Sequence, residues 1–340
     1  LRRPAHASDT PGNRTGTVRR MVGQSTGGRS TALYCGLMVC GLALTAVVMG
    51  THVRPEERSA EEASSVPVVR KTLPQEGCSQ GVGDRRNASR DGGEVGPEQA
   101  AEYERRLREA LESTHGRKIA PPNAVPVVVH AIAAENGEGE VGRARIERQI
   151  EVLNDAYAGR YATDVEGVDT GFHFELSDLT RHRDDEWFHD FDLHRDTVRA
   201  DLRQGGPETL NIYVTGLGEG LLGHSTFPQD SEDSLEQDGI VLAHDTLPGG
   251  DREGFDQGHT GTHEVGHWLG LFHTFQNGCQ SPGDHVDDTP YEREPASGCP
   301  EGRNTCPEHP GEDPVANFMN YSDDTCMTHF TRGQAERMAE

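Results

Sequence analysis

Basic side chains are scarce in this 340-residue chain: 32 Lys and Arg stand against 57 Asp and Glu, a formal charge of −25. A surface that acidic repels polyanions, which excludes nucleic acid as a partner. Apolar residues are also few, at 33%. That is enough for one medium domain with appendages and excludes two large cores. There is no internal repeat. Long hydrophobic runs are limited to one, over residues 31–50.

That run, TALYCGLMVCGLALTAVVMG, follows Arg19, Arg20 and Arg29, the layout of an export signal. Its apolar core sits at the short limit for a spanning helix, so an uncleaved anchor is the alternative, and the only membrane contact expected. Either way the remainder leaves the cytoplasm and reads as secreted. Cys35 and Cys40 lie inside the run as small apolar residues. Residues 51–96 are rich in Glu, Ser, Gly, Arg and Pro with no sustained period, the composition of a linker or pro-segment. Within 99–111, Tyr103, Leu107, Ala110 and Leu111 fall at helical spacing and predict a short amphipathic helix of the pro-region. The charge is +4 over residues 1–120 and −29 over 121–340. The chain therefore divides into a leader (1–50), a disordered linker or pro-segment (51–120) and an acidic folded domain (121–340), part of whose charge suits calcium.

From residue 125 the texture changes. VPVVVHAIA is β-branched and bounded by Pro and Gly, a buried strand. Ile146, Ile150, Leu153 and Tyr157 recur at helical spacing. Strands are expected over 172–176 and 210–214, with a helix near 194–204 between them, and further strands over 221–227 and 239–243. Pro228 suits the end of an edge strand. Alternating strands and helices predict an α/β domain.

The most informative stretch is HTGTHEVGHWLGLFHTF, residues 259–275. On a helix, His263 and His267 are four apart and share a face, so two imidazoles can meet one zinc ion. Glu264 is turned about 100° from His263 around the axis and reaches the attacking water instead of the metal. Gly270 permits a left-handed exit that brings His273 back as a third ligand. Three ligands leave one position open, as a catalytic zinc requires. The full H-E-x-x-H-x-x-G-x-x-H pattern arises by chance roughly 0.0005 times in such a chain. His130, His173, His182, His224, His244, His285 and His329 have no comparable support and read as ordinary.

This signature resembles that of the metzincin metalloproteases. The resemblance implies a Met-turn downstream, which NFMNY supplies: Met319 as the apolar floor beneath the zinc and Tyr321 as a residue that binds zinc or stabilises the tetrahedral intermediate. The pieces LNIYV, GLLGHSTFP, DGIVL, GTHEVGHWLGLFHTF, GDHVDDTP and NFMNYSDDTCMTHFTRGQAERM, in that order, resemble the pappalysin and cytophagalysin group, which includes ulilysin. They span about residues 126–338. His224 departs from an expected aromatic, Phe318 from Tyr and Asn320 from Asp. What these departures affect is substrate preference, since no ligand or base is lost.

The resemblance implies an α/β (α+β) metzincin-type fold. A mixed twisted sheet with two main helices would form an upper subdomain, over an irregular, disulfide-stapled lower one, with the cleft between them. Four cysteines follow the zinc helix in a chain argued to be exported, and four allow three pairings. A second zinc site is disfavoured because they lack C-x-x-C spacing. The family implies Cys279 with Cys306 and Cys299 with Cys326. Related enzymes also use a pro-region cysteine as a latency switch, a role that falls to Cys78; an unpaired linker cysteine is the alternative. Processing would fall near Arg117 or Lys118. Calcium binding in the family points to Asp284, Asp287 and Thr289 in the Gly/Pro-framed loop after the zinc helix, against a simple solvated loop.

The expected activity is zinc-dependent hydrolysis of peptide bonds in proteins by a monomeric secreted endopeptidase, with Glu264 as general base. An extended substrate would add to the edge strand that carries Leu222, Gly223 and His224. Asp323 and Asp324, close to the Met-turn, suit a basic substrate residue on the primed side. Two other readings stand beside this one. An exported zinc-binding interaction module would have a fourth protein ligand and tolerate loss of Glu264; a zinc hydrolase for small non-peptide substrates would have a closed pocket.

Overall fold

The structure, a computed structural model, describes residues 92, 95–113, 124–163, 165–218 and 220–340, all inside one compact unit, Glu76–Glu340. The apolar leader with Cys35 and Cys40, the latency candidate Cys78 and the Arg117–Lys118 pair lie outside the described residues. No helix among those described is long and apolar enough to cross a membrane.

The sheet has five strands: β1 (Val125–Ala133), β2 (Phe174–Arg183), β3 (Leu210–Thr215), β4 (Gly223–Ser225) and β5 (Ile240–Ala243), in the order β2-β1-β3-β5-β4. The first four positions run parallel, and β4 closes the edge antiparallel to β5, with His224 opposite Val241. β1 and β3 are buried along nearly their whole length, which is why they read as unbroken apolar runs. β2 extends to Arg183 instead of ending at 176. Its remainder, SDLTRHR, is an edge of mostly exposed polar residues and carries no apolar alternation to announce it.

Helix α1 (Pro97–Ser113) precedes the sheet, and α2 (Arg143–Tyr157) packs on one face of it. Two short helices, α3 (Asp185–His189) and α4 (Phe191–Leu202), cover the opposite face. The strand expected over 221–227 is shortened to β4, because Pro228 does not end a strand but opens helix α5 (Pro228–Asp233). Proline's fixed φ and missing N–H suit the first turn of a helix equally well. Helix α6 (His259–Trp268) and the C-terminal α7 (Arg332–Met338) complete the elements.

The main core lies between the sheet, α2 and α6, and includes Val127, Val129, Ile146, Leu153, Leu242 and Val265. α2 also grips α6 through polar atoms: Gln149 Nε2 donates to Gly258 O at 2.8 Å and the Tyr157 hydroxyl to Thr262 O at 3.2 Å. Residues 271–330 form no strand or helix beyond an isolated bridge between Asn317 and His329. Two disulfides staple them, Cys279–Cys306 and Cys299–Cys326, with Cα separations of 5.5 and 5.8 Å. These are the two pairings that the family resemblance implied.

Candidate active site

α6 is buried over nearly its whole length, and it fixes His263, Glu264 and His267 beneath the edge strand. It ends where Gly270 adopts φ 90°, a conformation that side chains with a Cβ resist. Gly270 N–H donates to His267 O and Leu271 N–H to Gly266 O, closing the helix as the chain turns back toward His273. Arg337 of α7 reinforces this turn from outside, its Nε donating to Gly270 O at 3.0 Å.

The three imidazoles converge. His267 Nε2 lies 3.1 Å from His263 Nε2 and 3.0 Å from His273 Nε2, and all three side chains are buried. Nitrogens that close are in each other's lone-pair space unless a cation sits among them, so the donor set fits a metal. Backbone carbonyls fix the tautomers: His263 Nδ1 donates to Phe318 O and His267 Nδ1 to Leu271 O, each at 2.7 Å, which leaves Nε2 as the ligand atom. The His273 ring stacks on Phe275 at 4.7 Å. Among the described residues this is the one group of His, Cys, Asp and Glu placed to hold a metal ion.

Met319 lies directly below. A Cβ on Gly266 would collide with its Sδ, so the glycine inside the H-E-x-x-H helix is what lets the Met-turn approach. The Tyr321 ring sits 4.9 Å from that of His273 and 5.8 Å from that of His263. Glu264 is 1% exposed and lines a small pocket with Leu222, His259, Tyr321 and Asp324. The buried Asp324 carboxyl accepts from Gln257 N–H through Oδ2 at 2.8 Å and faces the backbone N–H groups of Gly258 and His259 at the start of α6. Burial pushes its pKa up to about 7.

On the edge strand, Leu222 reaches the pocket, but His224 turns to the opposite face of the sheet, toward Phe191 and Asp192 of α4. The residue that departs from the expected aromatic therefore does not face the metal ligands. The outer edge of β4 meets the chain that leads into α1: Gly92 N–H donates to Gly223 O at 3.2 Å. α1 itself docks through Tyr103 against Phe227, whose ring lies 5.2 Å from that of His267. In the loop after the helix, Asp284 and Thr289 are buried while Asp287 is exposed.

Glu292 is a buried charge next to the site that the sequence does not single out. Fully buried, it accepts from Thr274 Oγ1 at 2.7 Å and Asn320 Nδ2 at 2.9 Å, and it pairs with Arg303, which also holds Asp313 at 2.8 Å. Thr274 follows His273, and Asn320 separates Met319 from Tyr321. One carboxylate thus ties the third imidazole to the Met-turn. In the sequence it is a single Glu in a charged, aperiodic loop, with no signal to separate it from solvated neighbours.

A mixed sheet, a buried H-E-x-x-H helix, a third histidine beyond a glycine turn and a Met-turn under the triad define a metzincin-type metallopeptidase fold. The family model for pregnancy-associated plasma protein-A, Peptidase_M43, matches residues 208–340. Extracellular metalloprotease 1 of Coccidioides posadasii is 38% identical over 252 residues, which cover 73% of this chain and 87% of that protein. An extracellular metalloprotease of Colletotrichum graminicola is 40% identical over 223 residues, covering 64% and 76%. Among solved structures, a Tannerella forsythia promirolysin mutant superposes with TM-score 0.63 at 26% identity, covering 74% of this chain and 92% of its own. Mature mirolysin with a cleaved peptide gives TM-score 0.55 at 29% identity, covering 64% and 91%. The chain belongs to the pappalysin-type M43 peptidase family and is a secreted zinc metalloendopeptidase, not a non-catalytic zinc-binding module.

Proposed function

We propose that His263, His267 and His273 hold the catalytic zinc through Nε2, that Glu264 is the general base and that Tyr321 stabilises the oxyanion. The observation that carries this reading is the convergence of three buried Nε2 atoms, two of them on imidazoles whose Nδ1 positions are fixed by backbone carbonyls. Bound zinc would supply Lewis acidity toward the scissile carbonyl and a water molecule. Glu264 takes the proton of the attacking water and delivers it to the leaving amine nitrogen. The Tyr321 hydroxyl donates to the carbonyl oxygen as negative charge gathers there. Substrate pairs in extended form with the outer edge of β4 at Gly223.

The test is cleavage of casein or a peptide library by the processed enzyme. Glu264→Gln should lower kcat by about 10²–10⁴-fold with zinc content unchanged. A chelator should abolish activity, and zinc should restore it. Full activity in Glu264→Gln would overturn the assignment.

Substrate preference follows from Asp324. A buried carboxyl with a pKa pushed up to about 7, lining the pocket beside Glu264 and Tyr321, favours a cationic side chain there. Asp324→Asn should raise KM for substrates with Arg or Lys on the primed side by roughly tenfold, the scale of one hydrogen bond to a charged group, and change KM little for an apolar residue there. A library with no preference for basic residues would remove this assignment.

Calcium is proposed at Asp284, Asp287 and Thr289. Asp284 and Thr289 are buried with their side chains facing each other, and burial pushes the Asp284 carboxyl up to about 7, a cost that a hard cation offsets. The division into leader, pro-segment and catalytic domain, with Cys78 as a latency thiol, is proposed as well. It is supported by the Gly92 hydrogen bond on the substrate edge and by promirolysin covering 74% of the chain where mature mirolysin covers 64%.

A further inference from the structure

On the face of the sheet away from the metal ligands, two arginines of the α4 segment come together with a tyrosine of β3 around the turn before β5. Arg199 is 5% exposed and donates through Nη1 to Gln237 O at 2.9 Å. Its Nε and Nη2 are buried with no hydrogen-bond partner, and it forms no ion pair among the described residues. Arg203, one turn later, pairs with Asp238 at 3.2 Å, and its Nε is also buried and unpartnered. The Tyr213 ring lies 5.8 Å below the Arg199 guanidinium and beside Gly239, and its hydroxyl is a fourth buried atom without a partner. The hydroxyl also lies in the field of both guanidiniums and of Asp238.

The charges here do not balance. Two guanidiniums share one buried carboxylate, since the other acids near Arg199, Asp192 and Asp196, are exposed, and Arg195 adds a further positive charge. An unpaired buried cation is strongly destabilising. Water is a poor remedy, because it must place two hydrogens of its own. Asp238 already accepts from Arg203, from Thr226 Oγ1 at 3.2 Å and from Trp268 Nε1 at 3.0 Å. A monovalent anion needs donors only and supplies the one missing charge.

We propose that a small halide-type anion, chloride in an extracellular setting, binds between α4 and β3 on Arg199 Nε and Nη2, Arg203 Nε and the Tyr213 hydroxyl. Neutralising Arg199 leaves Asp238 to Arg203, Trp268 and Thr226. Trp268 ends the helix of the metal ligands and Thr226 follows the substrate edge strand, so the anion stiffens the junction between helix and edge from behind. The site is independent of the catalytic assignments.

Crystals of the zinc-loaded enzyme soaked in sodium bromide should show an anomalous peak within hydrogen-bond reach of Arg199 and Tyr213. At fixed ionic strength, sodium chloride should raise Tm over sodium gluconate by roughly 3–6 °C. Arg199→Met should abolish that difference while remaining folded by circular dichroism. If Arg199→Met does not fold, Tyr213→Phe should weaken the chloride effect without removing it, and the bromide peak on wild type stands as the deciding measurement. A refined water at this position, or equal Tm in the two salts with no bromide peak, overturns the proposal.

Discussion

Two halves of the enzyme meet at the metal site and are held together differently. The part up to Gly270 is a layered α/β unit with an apolar core on each face of its sheet. The part from Leu271 to Phe330 has no sheet or helix of its own: it lends Leu271, Phe318, Met319, Met327 and Phe330 to the main core, and two disulfides and a buried polar network around Glu292 and Arg303 order the rest. His263, Glu264 and His267 come from the first part, and His273, Met319 and Tyr321 from the second. Geometry at the triad therefore depends on the polar network as much as on the core. The two parts should respond differently to the same loss of stability.

The largest expected effect separates them directly. Glu292→Ala removes a buried partner of Arg303, Thr274 and Asn320 and should cost about 4 kcal/mol, the scale of breaking a buried ion pair. Leu153→Ala in the main core should cost a similar amount, about 2–5 kcal/mol. Under native conditions only Glu292→Ala should also lower kcat, because His273 and Tyr321 lose their common anchor. Urea melts and steady-state kinetics on the two variants test this. Equal kcat in both would show that the network stabilises the fold without positioning the site.

Next come the disulfides, each closing a sequence separation of 27 residues. Loop-closure entropy gives about 3.5 kcal/mol for a loop of that size. Cys279→Ser with Cys306→Ser should make activity disappear at a lower urea concentration than the far-ultraviolet signal of the upper helices. Coincident loss of both would mean that the halves unfold as one cooperative unit.

The same contrast explains which features are legible in the amino-acid sequence. In the upper half, period-2 and period-3.6 apolar patterns are imposed by burial, so β1, α2, β3 and β5 lie within a few residues of expectation. The differences there fall at polar edges: the second half of β2, and Pro228, which suits a strand end and a helix start alike. The convergence of His263, His267 and His273 is legible because their spacing on a helix and across a glycine turn fixes where the imidazoles meet. In the lower half no period exists, and only the family resemblance anticipates the cysteine pairing. Glu292 and the Arg199 cluster carry no sequence signal, because whether a charged residue is buried depends on the fold around it.

The smallest effect probes the seam from the upper side. His259 opens α6, its ring packed 4.9 Å from Tyr161 and 5.1 Å from Phe318, and burial pushes its pKa down to about 4. The unfolded chain would titrate this group near pH 6.5. Between those values the unfolded state binds the extra proton, so the stability that neutral His259 contributes is present above pH 6.5 and lost as pH falls toward 4. The shift corresponds to about 3 kcal/mol. Asp324, pushed up to about 7 at the same helix end, acts with the opposite sign over about pH 3.8–7. Comparing wild type with His259→Phe isolates the histidine, since Asp324 is common to both. The difference in unfolding free energy should shift in favour of the variant by up to that amount as pH drops from 7 to 4. A difference independent of pH would mean that His259 is hydrated and titrates normally, and that the helix of the metal ligands starts in water instead of in the core.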